Sequence, residues 1–117
     1  MAKAAIVVLA GTESHADLGR LTNALTTAKQ FRDEGDSVEL IFDGAGTQWI
    51  DELTDEEHPK HLLYRELEDV ASACAYCADA FHVGDAVEQS DVEVVDAFEG
   101  HPSIRQLVVV GYEIITF

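Results

Sequence analysis

The run Ala4-Ala5-Ile6-Val7-Val8-Leu9-Ala10 constrains the fold more than any other stretch of the chain. It is apolar without alternation and rich in β-branched residues, which suits a strand buried on both faces rather than one with a wet side. Gly11 ends it, and after the polar segment from Thr12 to Ala16 apolar residues recur at Leu18, Leu21, Leu25, Ala28 and Phe31. That spacing predicts an amphipathic helix, capped near Asp17 and stopped by Gly35. Val38 to Phe42 reads as a second strand, so the first third is a βαβ unit with a right-handed crossover. Asp43-Gly44-Ala45-Gly46 leaves the carboxyl end of that strand, the edge at which open α/β sheets place their ligands.

The alternation continues. Thr47 to Leu53 suits a short helix with Trp49 and Ile50 inward, and Thr54 to Pro59 a solvated loop. The next helix buries Leu62, Leu63, Leu67 and Val70, and Val70 to Ala73 forms a short strand. Ala78 to Phe81 continues as a helix that has Cys77 in its first turn, and Val83 to Val87 forms another helical segment. Val92 to Val95 reads as a strand, and Pro102 opens a helix across Ile104, Leu107 and Val108 that Gly111 stops. Tyr112 to Phe117 is the last strand. Five strands separated by helices predict a three-layer α/β/α domain over residues 1–117, with a mainly parallel five-stranded sheet. No apolar stretch approaches the roughly 18 residues of a membrane span. The apolar run after Lys3 resembles a signal peptide only superficially, because it is short and leads straight into an amphipathic helix. A cytoplasmic protein with reduced thiols and no membrane partner is expected.

Chemistry concentrates at Ala73-Cys74-Ala75-Tyr76-Cys77-Ala78, which holds both cysteines two residues apart at a strand-to-helix turn. Such a pair can bind metal, cycle between dithiol and disulfide, or sharpen one nucleophilic thiolate. Cys74, Cys77 and His82 have spacing that could ligate zinc, and His58 with His61 could complete a set, but structural zinc sites usually pair two knuckles and only one is present. No metal is therefore expected. A thioredoxin-like dithiol would need a proline facing the pair, and neither Pro59 nor Pro102 precedes an obvious strand. Two small buried hydrophobes are the bland alternative. His15 and His82 flank the same edge, where loop histidines are more often simply solvated. Gly44-x-Gly46 is too short for a dinucleotide fingerprint, and no phosphate-loop, nucleophile-elbow or zinc-protease motif occurs, so no cofactor is expected.

The chain resembles the DsrE-like sulfur-relay family. The likeness is carried by Ala5-Ile6-Val7-Val8, by Leu40-Ile41-Phe42-Asp43-Gly44, by the Cys-x-x-Cys turn, by Val92-Glu93-Val94-Val95 and by the closing Gly111-Tyr112-Glu113-Ile114-Ile115-Thr116-Phe117. In that register Cys74 matches the sulfur-carrying cysteine, Cys77 the accessory position and Val83 an aliphatic one, while Phe81-His82 stands where the family has Arg-Gly. The resemblance implies sulfur carried as a persulfide on Cys74, with Cys77 modulating or resolving it. It also implies sulfur donor and acceptor proteins or small sulfur compounds as partners, and a homo-oligomer, trimer or hexamer. Backbone N–H groups at the helix start are expected to stabilise a Cys74 thiolate. A dithiol oxidoreductase and a noncatalytic binding module, with a cleft lined by Gly11 to His15 and Asp43 to Gly46, remain the alternatives.

Charge bears on habitat rather than chemistry. Twenty-three Asp and Glu against seven Lys and Arg give a net charge of −16, dispersed along the chain rather than gathered in a tail. No nucleic-acid partner is therefore expected. A dispersed acidic surface fits a high-salt cytosol, as in a halophilic archaeon, where screening removes the self-repulsion. Thermal stability and assembly are expected to be weaker in dilute buffer than in molar potassium chloride. Equal melting temperatures in the two media would remove the halophile reading, and sedimentation of a monomer alone in molar salt at high protein concentration would remove the oligomer.

Overall fold

The computed structural model spans residues 1–117. Its strands are β1 (Lys3–Val8), β2 (Ser37–Phe42), β3 (Ala71–Cys74), β4 (Glu93–Val95) and β5 (Glu113–Thr116). Its helices are α1 (His15–Asp33), α2 (Gln48–Leu53), α3 (His61–Leu67), α4 (Ala75–Ala80), α5 (Gly84–Gln89) and α6 (Ile104–Val109). The five strands form one sheet in the order β4-β3-β2-β1-β5, with every neighbouring pair parallel.

The order explains the layers. From β1 to β4 the chain always steps the same way across the sheet, so right-handed crossovers carry α1 to α5 onto one face. There Ala4, Ile6, Val8, Leu40, Phe42, Ala71 and Ala73 meet Leu21, Leu25, Trp49, Ile50, Tyr64, Leu67 and Val87 in the main core. The return from β4 to β5 runs the opposite way, and α6 lands on the other face, where Ile104 and Leu107 pack with Ala5, Val7 and Ile41. The result is the expected three-layer α/β/α arrangement, with its second layer of helix much the thinner.

Several element details differ from the sequence reading. β1 ends at Val8, because the N–H groups of Leu9 and Ala10 both turn to the carbonyl of Phe117. The cap of α1 is Ser14, whose hydroxyl accepts from the Asp17 N–H. Pro102 precedes α6, but Ser103 caps it by accepting from the Gln106 N–H. Leu62 is 78% exposed, because α3 turns Tyr64 and Leu67 inward instead. Val108 is likewise exposed, since only Ile104 and Leu107 of α6 reach the sheet.

One close contact ties the carboxyl edge of β2 to β1. Asp43 donates its N–H to the Val8 carbonyl, and a 3₁₀ turn over Gly44–Thr47 then lies against β1. A β-carbon on Gly46 would stand 2.0 Å from the Val8 carbonyl oxygen, a separation no relaxation of one side chain can relieve. Gly46→Ala is expected to cost about 1–3 kcal/mol or more in urea denaturation. A loss below about 0.5 kcal/mol, the range of a neutral surface change, would contradict the packing.

Candidate functional site

Connections after β3 and β4 diverge. The chain leaves β3 into α4 on the main-core face, and leaves β4 through residues 96–103 toward α6 on the other. Between two parallel neighbours whose connections part in this way a crevice opens at the carboxyl edge. The register places Phe42 beside Ala73, and Cys74 beside Val95, so Asp43, Cys74 and the loop after Val95 emerge side by side.

That crevice gathers Asp43, Cys74, Cys77 and His101, whose donor atoms all lie within 4.8 Å of one another. Cys74 is the N-cap of α4, and its Sγ accepts the Cys77 N–H at 3.3 Å. The same sulfur lies 3.4 Å from His101 Nδ1 and 3.8 Å from the Gly100 carbonyl. Cys77 Sγ donates to Asp43 Oδ1 at 3.4 Å and lies 3.9 Å from His101 Nδ1. Both cysteines are buried, whereas Asp43 and His101 are half-buried at the mouth. Both thiols are free.

The supports of the two outer residues are local. Asp43 Oδ1 also accepts the Gly44 N–H at 2.9 Å, which holds the carboxylate toward Cys77. His101 follows a tight turn in which Phe98 and His101 exchange backbone hydrogen bonds around Glu99 and Gly100, with φ values of 51° and 86°. Consecutive positive φ values are those of a type I′ turn, costly at Glu99 and free at Gly100. The Gly100 carbonyl accepts the Tyr76 N–H, and the glycine also suits this close approach, since a β-carbon there would meet Tyr76 Cβ at 3.2 Å. The Tyr76 ring in turn lies 4.7 Å from the His101 ring, centroid to centroid.

No protein-family model matches the chain. It is similar to uncharacterized protein MJ0733 of Methanocaldococcus jannaschii, 26% identical over 95 residues covering 81% of this chain and 78% of that one. In structure it is similar to a conserved protein of unknown function, BT1422, from Bacteroides thetaiotaomicron, with a TM-score of 0.61 and 14% identity over 97% of this chain and 94% of that one. The structural likeness bears on the fold alone. The chemistry has to be read from the crevice.

Of the residues weighed from sequence, Cys74, Cys77 and Asp43 meet, and the other histidines do not join them. His58 accepts the Lys60 N–H, His61 Nδ1 lies 2.6 Å from the Leu53 carbonyl, and His15 and His82 are exposed. His101 was not among the expected site residues. The available signal was its place in the loop after a strand's carboxyl end, which becomes informative only once β4 is known to lie beside β3. Two recesses of about 220 and 200 Å³ flank the crevice, and none of the four donors lines either.

The expected thiolate at Cys74 is corrected. Burial first, and the neighbouring Cys77 thiol second, push the Cys74 thiol up from 9.0 to about 12, against the pull of the Cys77 N–H. Stability is then independent of this group below pH 9, where both folded and unfolded chains hold the proton, and is lost above it, where the unfolded chain ionises first. In chelated, reduced protein at pH 8, Cys74 is expected to alkylate at least about tenfold more slowly than in the urea-unfolded chain. Mass spectrometry of the labelled peptide checks this. Faster labelling of the folded state would mean that the local donors outweigh burial.

Proposed function

We propose that the protein handles sulfur, accepting a sulfane sulfur atom on Cys74 and passing it on. The single observation behind this reading is the Cys74–His101 pair, a buried thiol 3.4 Å from a ring nitrogen that can take its proton. The resemblance to DsrE-like proteins points the same way, and so does the location of Cys74 at the carboxyl edge of a parallel sheet.

The chemistry balances without an external oxidant when the donor already holds sulfane sulfur. His101 Nδ1 takes the Cys74 proton, and Cys74 Sγ attacks the outer sulfur of thiosulfate. The sulfur–sulfur bond of the donor breaks with its electron pair leaving on sulfite, and Cys74 keeps a persulfide. Release follows when an acceptor thiolate attacks the outer sulfur and Cys74 leaves as thiolate, recovering the proton from His101. Cys77 offers a second route, in which it gives its proton to Asp43, the acceptor 3.4 Å away, and its sulfur attacks Cys74 Sγ, closing a Cys74–Cys77 disulfide and expelling the outer sulfur, which takes the proton held on His101 and leaves as hydrosulfide.

A second reading, dithiol oxidoreduction, is favoured by the two sulfurs lying within 4.8 Å of each other. The two readings separate on the product. After incubation with thiosulfate in molar salt, the intact mass is expected to rise by one sulfur atom in the wild type. Cys74→Ser abolishes that gain, Cys77→Ser keeps it but slows release, and His101→Ala slows loading by about 10²–10⁴-fold, the usual span for loss of a general base. A sulfur atom gained by Cys74→Ser would end the assignment of Cys74 as carrier. Rapid disulfide formation with no sulfur gain would favour the oxidoreductase. Homo-oligomer formation is part of the same proposal, supported by the family resemblance and by exposed Val108, Val109 and Val110 on and just after α6.

A further inference from the structure

We infer that Asp43, Cys74, Cys77 and His101 form a mononuclear site for a thiophilic divalent cation of the Zn²⁺ class. This goes beyond the sulfur reading and does not rest on it. Four donors of three chemical kinds converge from three separate segments, after β2, across the β3–α4 turn and after β4.

The spacing approaches what a tetrahedral ion needs. Zinc holds nitrogen and oxygen at about 2.0–2.2 Å and sulfur at about 2.3 Å, so adjacent donors stand roughly 3.3–3.8 Å apart. In the crevice Cys74 Sγ is 3.4 Å from His101 Nδ1, Cys77 Sγ is 3.4 Å from Asp43 Oδ1, and Cys77 Sγ is 3.9 Å from His101 Nδ1. Shifts of a few tenths of an ångström would bring these three edges onto the polyhedron, and the other three, which lie within 4.8 Å, close by at most about 1 Å as the ion draws the donors in. The donors are also held from behind. Asp43 Oδ1 accepts the Gly44 N–H, Cys74 Sγ accepts the Cys77 N–H, and the Tyr76 ring and the Phe98–His101 turn hold the imidazole. Outer partners of this kind orient ligands and tune a metal.

Donor type selects the ion. Two sulfurs and an imidazole suit zinc and its thiophilic neighbours and are a poor match for magnesium or calcium, which take oxygen. On binding, the Cys74 and Cys77 protons leave, and the His101 imidazole and the Asp43 carboxylate complete the set. Three negative ligands then face two positive charges, and the surrounding acidic surface opposes anions rather than cations. With all four positions filled by protein, the site is of the closed kind that stores, senses or stabilises rather than the open kind that activates water. The bound cation also occupies both thiolates, so cation and sulfane sulfur exclude each other.

The test uses the full-length reduced chain, chelated and then titrated with Co²⁺ in molar salt, followed by Zn²⁺. One equivalent is expected to produce the intense visible bands of tetrahedral Co²⁺ and a near-ultraviolet thiolate charge-transfer band, both erased by one equivalent of Zn²⁺. Cys74→Ser and Cys77→Ser should weaken Zn²⁺ binding at least about 100-fold, beyond the 10–100-fold typical of losing an outer partner. His101→Ala and Asp43→Asn should weaken it at least about tenfold, while His58→Ala and His82→Ala leave it unchanged. Circular dichroism establishes that each variant is folded, and His101→Ala serves where a cysteine variant is not. A wild-type spectrum with only weak octahedral bands, or tight binding unaffected by both His101→Ala and Asp43→Asn, overturns the site. Failure of thiosulfate loading with Co²⁺ binding intact removes the sulfur reading and leaves the metal site standing.

Discussion

Parallel pairing of β2, β3 and β4 at one register is the constraint from which the site follows. Phe42 stands beside Ala73, and Cys74 beside Val95, so three chain segments leave the sheet at one level. The connection after β3 turns to the crowded face and the one after β4 to the other, and the crevice between them is a consequence of strand order and crossover handedness. Because side chains alternate across a strand, slipping one strand by a single residue would both separate the donors and exchange the residues it presents to the two cores. Gly46 and Gly100 protect this arrangement at close range, the first by letting the turn after Asp43 lie on Val8, the second by letting the loop before His101 lie on Tyr76.

Within the crevice, burial and charge pull against reactivity. A buried thiol ionises with difficulty, and here a second thiol and the Asp43 carboxylate add to the penalty at Cys74. Two agents can reverse it at short range: an imidazole that accepts the proton, and a cation that replaces it. The imidazole is that of His101, the only histidine in the cluster, and the cation would be held by all four donors. The sulfur and metal chemistries therefore use the same sulfurs under different partners, and ionisation of Cys74 is conditional in either case.

The acidic surface acts over a longer distance. Only Asp17, Asp33, Glu66, Glu68, Asp69 and Asp91 meet a cationic side chain, so most of the 23 carboxylates face one another through solvent. At molar ionic strength the screening length falls to about 3 Å, which removes this repulsion but leaves the contacts inside the crevice almost intact. Salt can thus stabilise the fold without weakening the Cys77–Asp43 hydrogen bond or the approach of His101 to the two sulfurs.

The sequence by itself determined the layer type, because continuous apolar runs such as Ala4 to Ala10 and helical periods such as Leu18 to Phe31 report burial locally. It also determined that the two cysteines would share a strand-to-helix turn, since residues three apart at a helix start are close in any fold. The inward faces of short helices were harder to read: Leu62 and Val108 fit the apolar period but lie outside the contact that packs α3 and α6. Tertiary structure alone decided that Asp43 would face Cys77 and that His101, rather than His58, His61 or His82, would reach both sulfurs. Cys74 and His101 are separated by 26 intervening residues, and nothing in local pattern brings them together. Their meeting depends on β4 pairing with β3, and strand order is set by the sum of long-range packing and crossover geometry rather than by any segment that a sequence window contains.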